Sequence, residues 1–314
     1  MRAPKGQFIL PSTPNDVEPR RYLHHLQQLL KQRRRTTLPR IRSLRYYRTG
    51  GGAVDACYHD ELAQYCMSLD TPIVHLMSGT PYVSVGAQRR EVPEGSKQLL
   101  VLVALRRRRI ERRWAAGTLW PFGDEMRAAG NLRSALWRLR RAGIDVLCSD
   151  KWSLTLGSDV LVDLHIMDQR ATRLIEGRAR EDDYTVSCSW AGALDLLPGW
   201  YDEWLVMERE RMRQRILHAL EELSRQLARV GRFADAVEAA MLALSAEPLR
   251  ESAQRALLAA YVAEGNLAEA RLSYRSFRDL VHRELGVEPS SDLLRGVLAD
   301  RTPRSGPRIA ARTG

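Results

Sequence analysis

Seven side chains crowded between positions 131 and 141 carry the chemistry of this chain: Asn131, Arg133, Ser134, Trp137, Arg138, Arg140 and Arg141. Arginine presents a planar fork of donors that matches guanine edges and phosphate oxygens, and Asn and Ser add shorter donor–acceptor groups. Written as a helix, the same stretch gathers Leu132, Ala135, Leu136 and Leu139 on one face, and Gly143 can stop it. A helix that is apolar behind and guanidinium-rich in front fits a DNA major groove. An amphipathic helix with a solvated arginine face has the same pattern, so the surroundings must decide.

Other chemistries find little support. The seven histidines show no HExxH spacing and there is no GxSxG elbow. There is no phosphate-binding GxxxxGK[ST] loop. The four cysteines, Cys57, Cys66, Cys148 and Cys188, form no CxxC pair, and free thiols are expected. The reading is therefore of a protein that is not an enzyme and has no metal or cofactor.

The elements that must position the basic helix are legible around it. Ile73 to Met77 reads as a strand, followed by short β segments at Tyr82–Val85 and Arg89–Val92. Ser96 is expected to cap a helix through Leu105, and a second helix is expected from Glu111 to Trp120, ended by Pro121. The basic helix comes third. After it, Asp145–Cys148 and Trp152–Leu156 read as a hairpin with Lys151 at its tip. Strands, three helices and a hairpin are the order of a winged helix, and Lys151 joins the candidate DNA contacts.

The 314 residues suggest about two domains, and the net charge of +11 is unevenly spread. Counted along the sequence, it is +6 over residues 1–72, +7 over 73–162 and −5 over 163–302. A basic half beside an acidic half suggests a polyanion-binding region and a region for another partner. No apolar run approaches a membrane span and the start has no signal-peptide pattern, so a cytoplasmic protein is expected.

The acidic part is a repeat. Leu223 and Leu257, Leu227 and Tyr261, Gly231 and Gly265, Ala236 and Ala270, and Ala240 and Tyr274 are each 34 residues apart, the tetratricopeptide period. Between the winged helix and the repeat, Asp163-Leu164-His165 opens a helical segment to about Arg180. An aromatic patch follows from Ser189 to Trp204, read as an anchor where helices meet. A capping helix is expected from Ser291 to Leu298.

With these stretches in view, residues 73–300 resemble the antibiotic regulatory proteins of actinobacteria. The likeness is carried by Asn131–Arg141, Val162-Asp163-Leu164, Pro198 to Trp204 with Glu208 to Arg211, Pro248-Leu249-Arg250-Glu251, and Arg283 to Pro289. It implies a response-regulator-like winged helix joined to a bacterial transcriptional activator domain. It also implies an activator that binds direct repeats in double-stranded promoter DNA, recruits RNA polymerase holoenzyme and controls secondary-metabolite (antibiotic) genes. A dimer on DNA is compatible with it.

The expected fold is mainly α with a small β part: a winged helix-turn-helix followed by an all-α tetratricopeptide-like domain. The expected divisions are a basic, mostly disordered extension over 1–72 with a transient helix at Tyr22–Leu30, the winged helix over 73–162, the activator domain over 163–302 and a disordered tail over 303–314. The competing function is a tetratricopeptide-type interaction adapter whose basic half binds nucleic acid only non-specifically.

Overall fold

Alternating, β-branched residues ahead of the basic helix form a meander. In the computed structural model, which describes residues 71–293, β1 (Pro72–His75), β2 (Tyr82–Val85) and β3 (Gln88–Glu91) pair antiparallel. Val74 and Val83 on one face and Tyr82 on the other are buried, whereas β3 carries Arg89 and Glu91 exposed. The expected arm and helix within residues 1–70, most of the capping helix and the tail lie outside the described residues.

Next, α1 (Glu94–Arg106) buries every residue from Leu99 to Ala104, because it is enclosed on several sides. Its first turn departs from the expected cap. Pro93 occupies the cap position, and Ser96 lies inside the helix, fully buried. The Ser96 hydroxyl donates to the Ala135 carbonyl at 2.9 Å, so it joins two helices instead of starting one. A two-residue strand β4 (Ile110–Glu111), α2 (Arg112–Leu119) and α3 (Glu125–Arg141) complete the three helices. Asp124 caps α3, accepting from the Arg127 N–H at 2.7 Å.

The hairpin β5 (Leu147–Ser149) and β6 (Ser153–Leu156) follows, and β4 adds to its edge in the order β4-β6-β5. The chain then returns: β7 (Leu161–Val162) pairs parallel with β1, closing a four-stranded sheet in the order β3-β2-β1-β7.

Among the described residues, every element after β7 is helical: α4 (Asp163–Ile175), a 3-10 turn (Glu181–Tyr184), α5 (Cys188–Leu194), α6 (Glu203–Arg229), α7 (Phe233–Ala246), α8 (Glu251–Glu264) and α9 (Leu267–Leu285). The 34-residue period sets the α6–α7 and α8–α9 hairpins. Ala236, Ala240 and Ala270 are fully buried or nearly so, letting helices approach closely. Gly231 and Gly265 make equivalent turns at φ of 80° and 89°. A β-branched residue strains that region, so Gly231→Val is expected to lower stability by about 2 kcal/mol. A urea titration of the full chain checks this, and a loss below about 0.5 kcal/mol would refute the turn argument.

The aromatic patch is an anchor in part. Trp190 is fully buried, its indole N–H donating to the Thr185 carbonyl at 3.2 Å under the Arg170 guanidinium, whereas Trp200 and Trp204 are half-buried and Tyr201 is exposed. Arg173 forks onto the buried Asp183 carboxylate at 2.7 and 2.6 Å. Burial alone would raise the Asp183 pKa; Arg173 and the Arg180 N–H more than offset it, and the net shift is downward. The expectation of free thiols holds for Cys148, which is exposed, and fails for Cys188, which is disulfide-bonded; spacing along a sequence does not reveal spatial pairs.

Buried polar contacts join the helical part to the unit before it. The Asp163 carboxylate, at the start of α4, accepts from the backbone N–H groups of Leu76 (2.9 Å), Met77 (3.0 Å) and Leu164 (2.6 Å). Burial pushes its pKa up to about 6 against the pull of those donors. His165 donates to the Ala104 carbonyl at 2.8 Å. Burial, with Arg107 nearby, lowers its pKa to about 4. Asp168 lies between two arginines, Arg107 at 2.9 Å and Arg215 at 2.7 Å.

Candidate nucleic-acid interface

The basic helix is longer than its charged stretch: α3 begins six residues before Asn131. Its buried stripe is Ala128, Leu132, Ala135, Leu136 and Leu139. At about 100° per residue, the line opposite that stripe runs through Gly130, Ser134, Trp137 and Arg141. Ser134, Trp137 and Arg141 are exposed there. Trp137 keeps 57% of its surface open, with the Arg141 guanidinium 5.0 Å from the ring centre. Arg133 and Arg140 flank this line on one side and are exposed; Asn131 and Arg138 flank it on the other and are half-buried.

Arg138 therefore departs from the outward place the sequence suggested. Its Nη2 donates to the Gly95 carbonyl at 2.8 Å, and its Nε approaches the Ser96 hydroxyl at 3.5 Å. The side chain ties α3 to the first turn of α1, because its flank faces that helix. Arg138→Ala should therefore destabilise the protein by about 1–2 kcal/mol, the value of a charge-assisted bond and a lost contact. The expected DNA effect is equal loss on matched and random duplexes. Thermal melting and a paired titration check this, and an unchanged melt with loss on the matched duplex alone would restore a base-reading role.

Arg140 also has a partner, donating to the Ser149 hydroxyl at 3.2 Å and so bracing α3 against the hairpin. Gly143 ends the helix, and its carbonyl accepts from Arg90 of β3. The hairpin turn is fixed by Asp150. Its carboxylate accepts from the N–H groups of Trp152 and Ser153, each at 2.7 Å, and from the Ser153 hydroxyl at 2.9 Å. Those bonds, the Trp152 N–H foremost, hold the Asp150 pKa below the ordinary value. Arg109 forms an ion pair with the same carboxylate. The turn then displays Lys151, whose Nζ lies 4.8 Å from the centre of the Trp152 ring, and Trp152 itself, 71% exposed. Trp152 was missed in the sequence, where it reads as the first residue of a strand.

Arg113 of α2 reaches Glu125 of α3 at 2.7 Å, an exposed ion pair between the two helices. Among the described residues no group of His, Cys, Asp and Glu is placed to hold a metal ion, and no helix is long and apolar enough to cross a membrane.

Comparison with known proteins adds to this geometry. Residues 163–296 match the family model of the bacterial transcriptional activator domain. Regulatory protein AfsR of Streptomyces griseus is 29% identical over 213 residues, which cover 63% of this chain. The match spans 22% of AfsR, so the chain corresponds to about a fifth of that relative. Among solved structures, Mycobacterium tuberculosis EmbR, determined in complex with a low-affinity phosphopeptide, superposes with a TM-score of 0.54 at 18% identity. That likeness covers 74% of this chain and 66% of EmbR, and it shows a shared fold. Residues 163–296 thus carry a bacterial transcriptional activator domain, in a chain that is similar to a regulatory protein over 213 residues.

Proposed function

We propose that this regulator binds direct repeats in double-stranded promoter DNA through α3 and the hairpin turn, and recruits RNA polymerase holoenzyme through its helical part. The observation that carries the reading is the outward row of α3. Ser134, Trp137 and Arg141, with Arg133 beside them, stand exposed on a helix whose opposite stripe is core. Arg133 and Arg141 would meet base edges and phosphates, and Trp137 would pack on a sugar or a thymine methyl. Arg140 and Lys151 would hold phosphates. Arg138 and Asn131 would set the pose of the helix. The −5 charge of residues 163–302 makes that region a poor phosphate binder and leaves its helix hairpins for a protein partner. On this reading the protein works in the cytoplasm as an activator of secondary-metabolite genes and pairs on DNA.

Selection of bound sequences from a random duplex pool, then gel shifts at two salt concentrations, tests it. Expected is a selected site bound at least about 1000-fold tighter than random duplex, with selectivity surviving moderate salt. Uniform binding that salt erases would support a protein-interaction adapter instead.

A further inference from the structure

A second cationic surface lies away from the outward row of α3. The turn between α1 and α2 reads Arg106-Arg107-Arg108-Arg109-Ile110-Glu111-Arg112-Arg113-Trp114. Arg107 adopts a left-handed backbone conformation (φ 52°) and points to Asp168. The chain thus turns at Arg107 and sends its neighbours the other way. Arg106, Arg108 and Arg109, with Ile110, Glu111 and Trp114, line an open cleft of about 360 Å³. Arg106 lies over the Trp114 ring at 4.8 Å, and Trp114 is 41% exposed.

This cleft adjoins the hairpin turn. Arg109 pairs with Asp150, the Arg112 guanidinium donates to the Asp150 carbonyl at 3.3 Å, and the Arg112 N–H donates to the Trp152 carbonyl at 2.9 Å. The cationic surface therefore runs from Lys151 at the hairpin tip into the arginine cleft. Six cations (Arg106, Arg108, Arg109, Arg112, Arg113 and Lys151) face three acids (Glu111, Asp150 and Glu125), an excess of three positive charges. A wall of guanidinium with an aromatic face suits a sugar-phosphate chain: the forks take phosphate oxygens and the ring packs on deoxyribose.

We infer that the α1–α2 cleft seats the DNA backbone beyond the hairpin, extending the contact past the bases that α3 reads. This rests on the DNA-binding reading above. It assigns Arg106 and Arg108 as phosphate contacts and leaves sequence discrimination to α3.

The test uses the full chain, the selected duplex, a random duplex of equal length and selected duplexes trimmed from each end in turn. The double variant Arg106→Gln/Arg108→Gln keeps most of both side chains and should melt like wild type. Its salt slope should fall by about two on both duplexes, with affinity reduced about 10–100-fold at 0.15 M salt and the selectivity ratio unchanged. Trimming the hairpin side should weaken wild type but not the double variant. An unchanged slope, or equal sensitivity of both proteins to trimming, overturns the cleft assignment while wild type still binds selectively. A reduced selectivity ratio also overturns it, since the cleft would then be reading bases. Wild type that prefers no duplex removes the DNA reading itself, and the wild-type arm shows that separately.

Discussion

Arg250→Ala is expected to cost about 3–5 kcal/mol, the loss found when one partner of a buried ion pair is removed. Glu221 of α6 is 2% exposed, and its Oε1 accepts from Arg250 Nε at 2.5 Å and from the Ser252 hydroxyl at 2.8 Å. Arg250 also donates to Gln214 at 2.7 Å. Without the guanidinium, a carboxylate stays in the interior with one hydroxyl partner and His218 3.7 Å away. The pair Arg250→Met/Glu221→Leu should cost much less than Arg250→Ala, because no charge is then stranded. Equilibrium unfolding of the three proteins decides it: a loss below about 1 kcal/mol for Arg250→Ala would show that the pair does not hold the helices.

Asp163 and His165 should show opposite pH dependences that hide one another in the wild type. The Asp163 pKa, raised to about 6, gives stability that is full below about pH 4 and is lost as pH rises through 6. The His165 pKa, lowered to about 4, gives stability that is full above about pH 6.5 and is lost as pH falls through 4. The first effect is worth about 3 kcal/mol; the second, for a half-buried side chain, about 2 kcal/mol. Across that window the wild type should be nearly flat. Asp163→Ala should become less stable on acidification from pH 7 to 4.5, and His165→Gln more stable. Asp163→Ala should also lower stability outright, since the Leu76, Met77 and Leu164 N–H groups lose their acceptor. Parallel slopes for both variants would show that these two groups do not set the pH response.

What the sequence made legible follows from short-range physics. The 3.6 period exposed the apolar stripe of α3, and the 34-residue spacing exposed the paired hairpins with their glycine turns. The Pro248-Leu249-Arg250-Glu251 stretch stood out, but its reason did not. Arg250 clamps to Glu221, and Glu251 accepts from the Ser290 N–H at 3.2 Å, partners 29 and 39 positions distant. The inward turn of Arg138 was hidden because a flank position on a helix wheel faces solvent or a neighbour only once the neighbour is placed. Ser96 misled for the same reason: a serine ahead of an apolar run looks like a cap until its acceptor is found on another helix. The arginines at 106–109 read as one charge run, whereas a single left-handed residue divides them between two surfaces.

The parallel pairing of β7 with β1 bears on how the chain emerges from the ribosome. When β1 to β3 have been made, the outer edge of β1 has no neighbour strand, and the Leu76 and Met77 amides await an acceptor supplied 87 and 86 residues later. At about 5–20 residues per second, that interval is on the order of ten seconds. Through it, the meander presents an open strand edge to any extended segment nearby. The N-terminal sheet closes only after the whole three-helix unit and the opening of α4 have been synthesised, so a nascent chain truncated before residue 163 should be the one most prone to associate with its own kind.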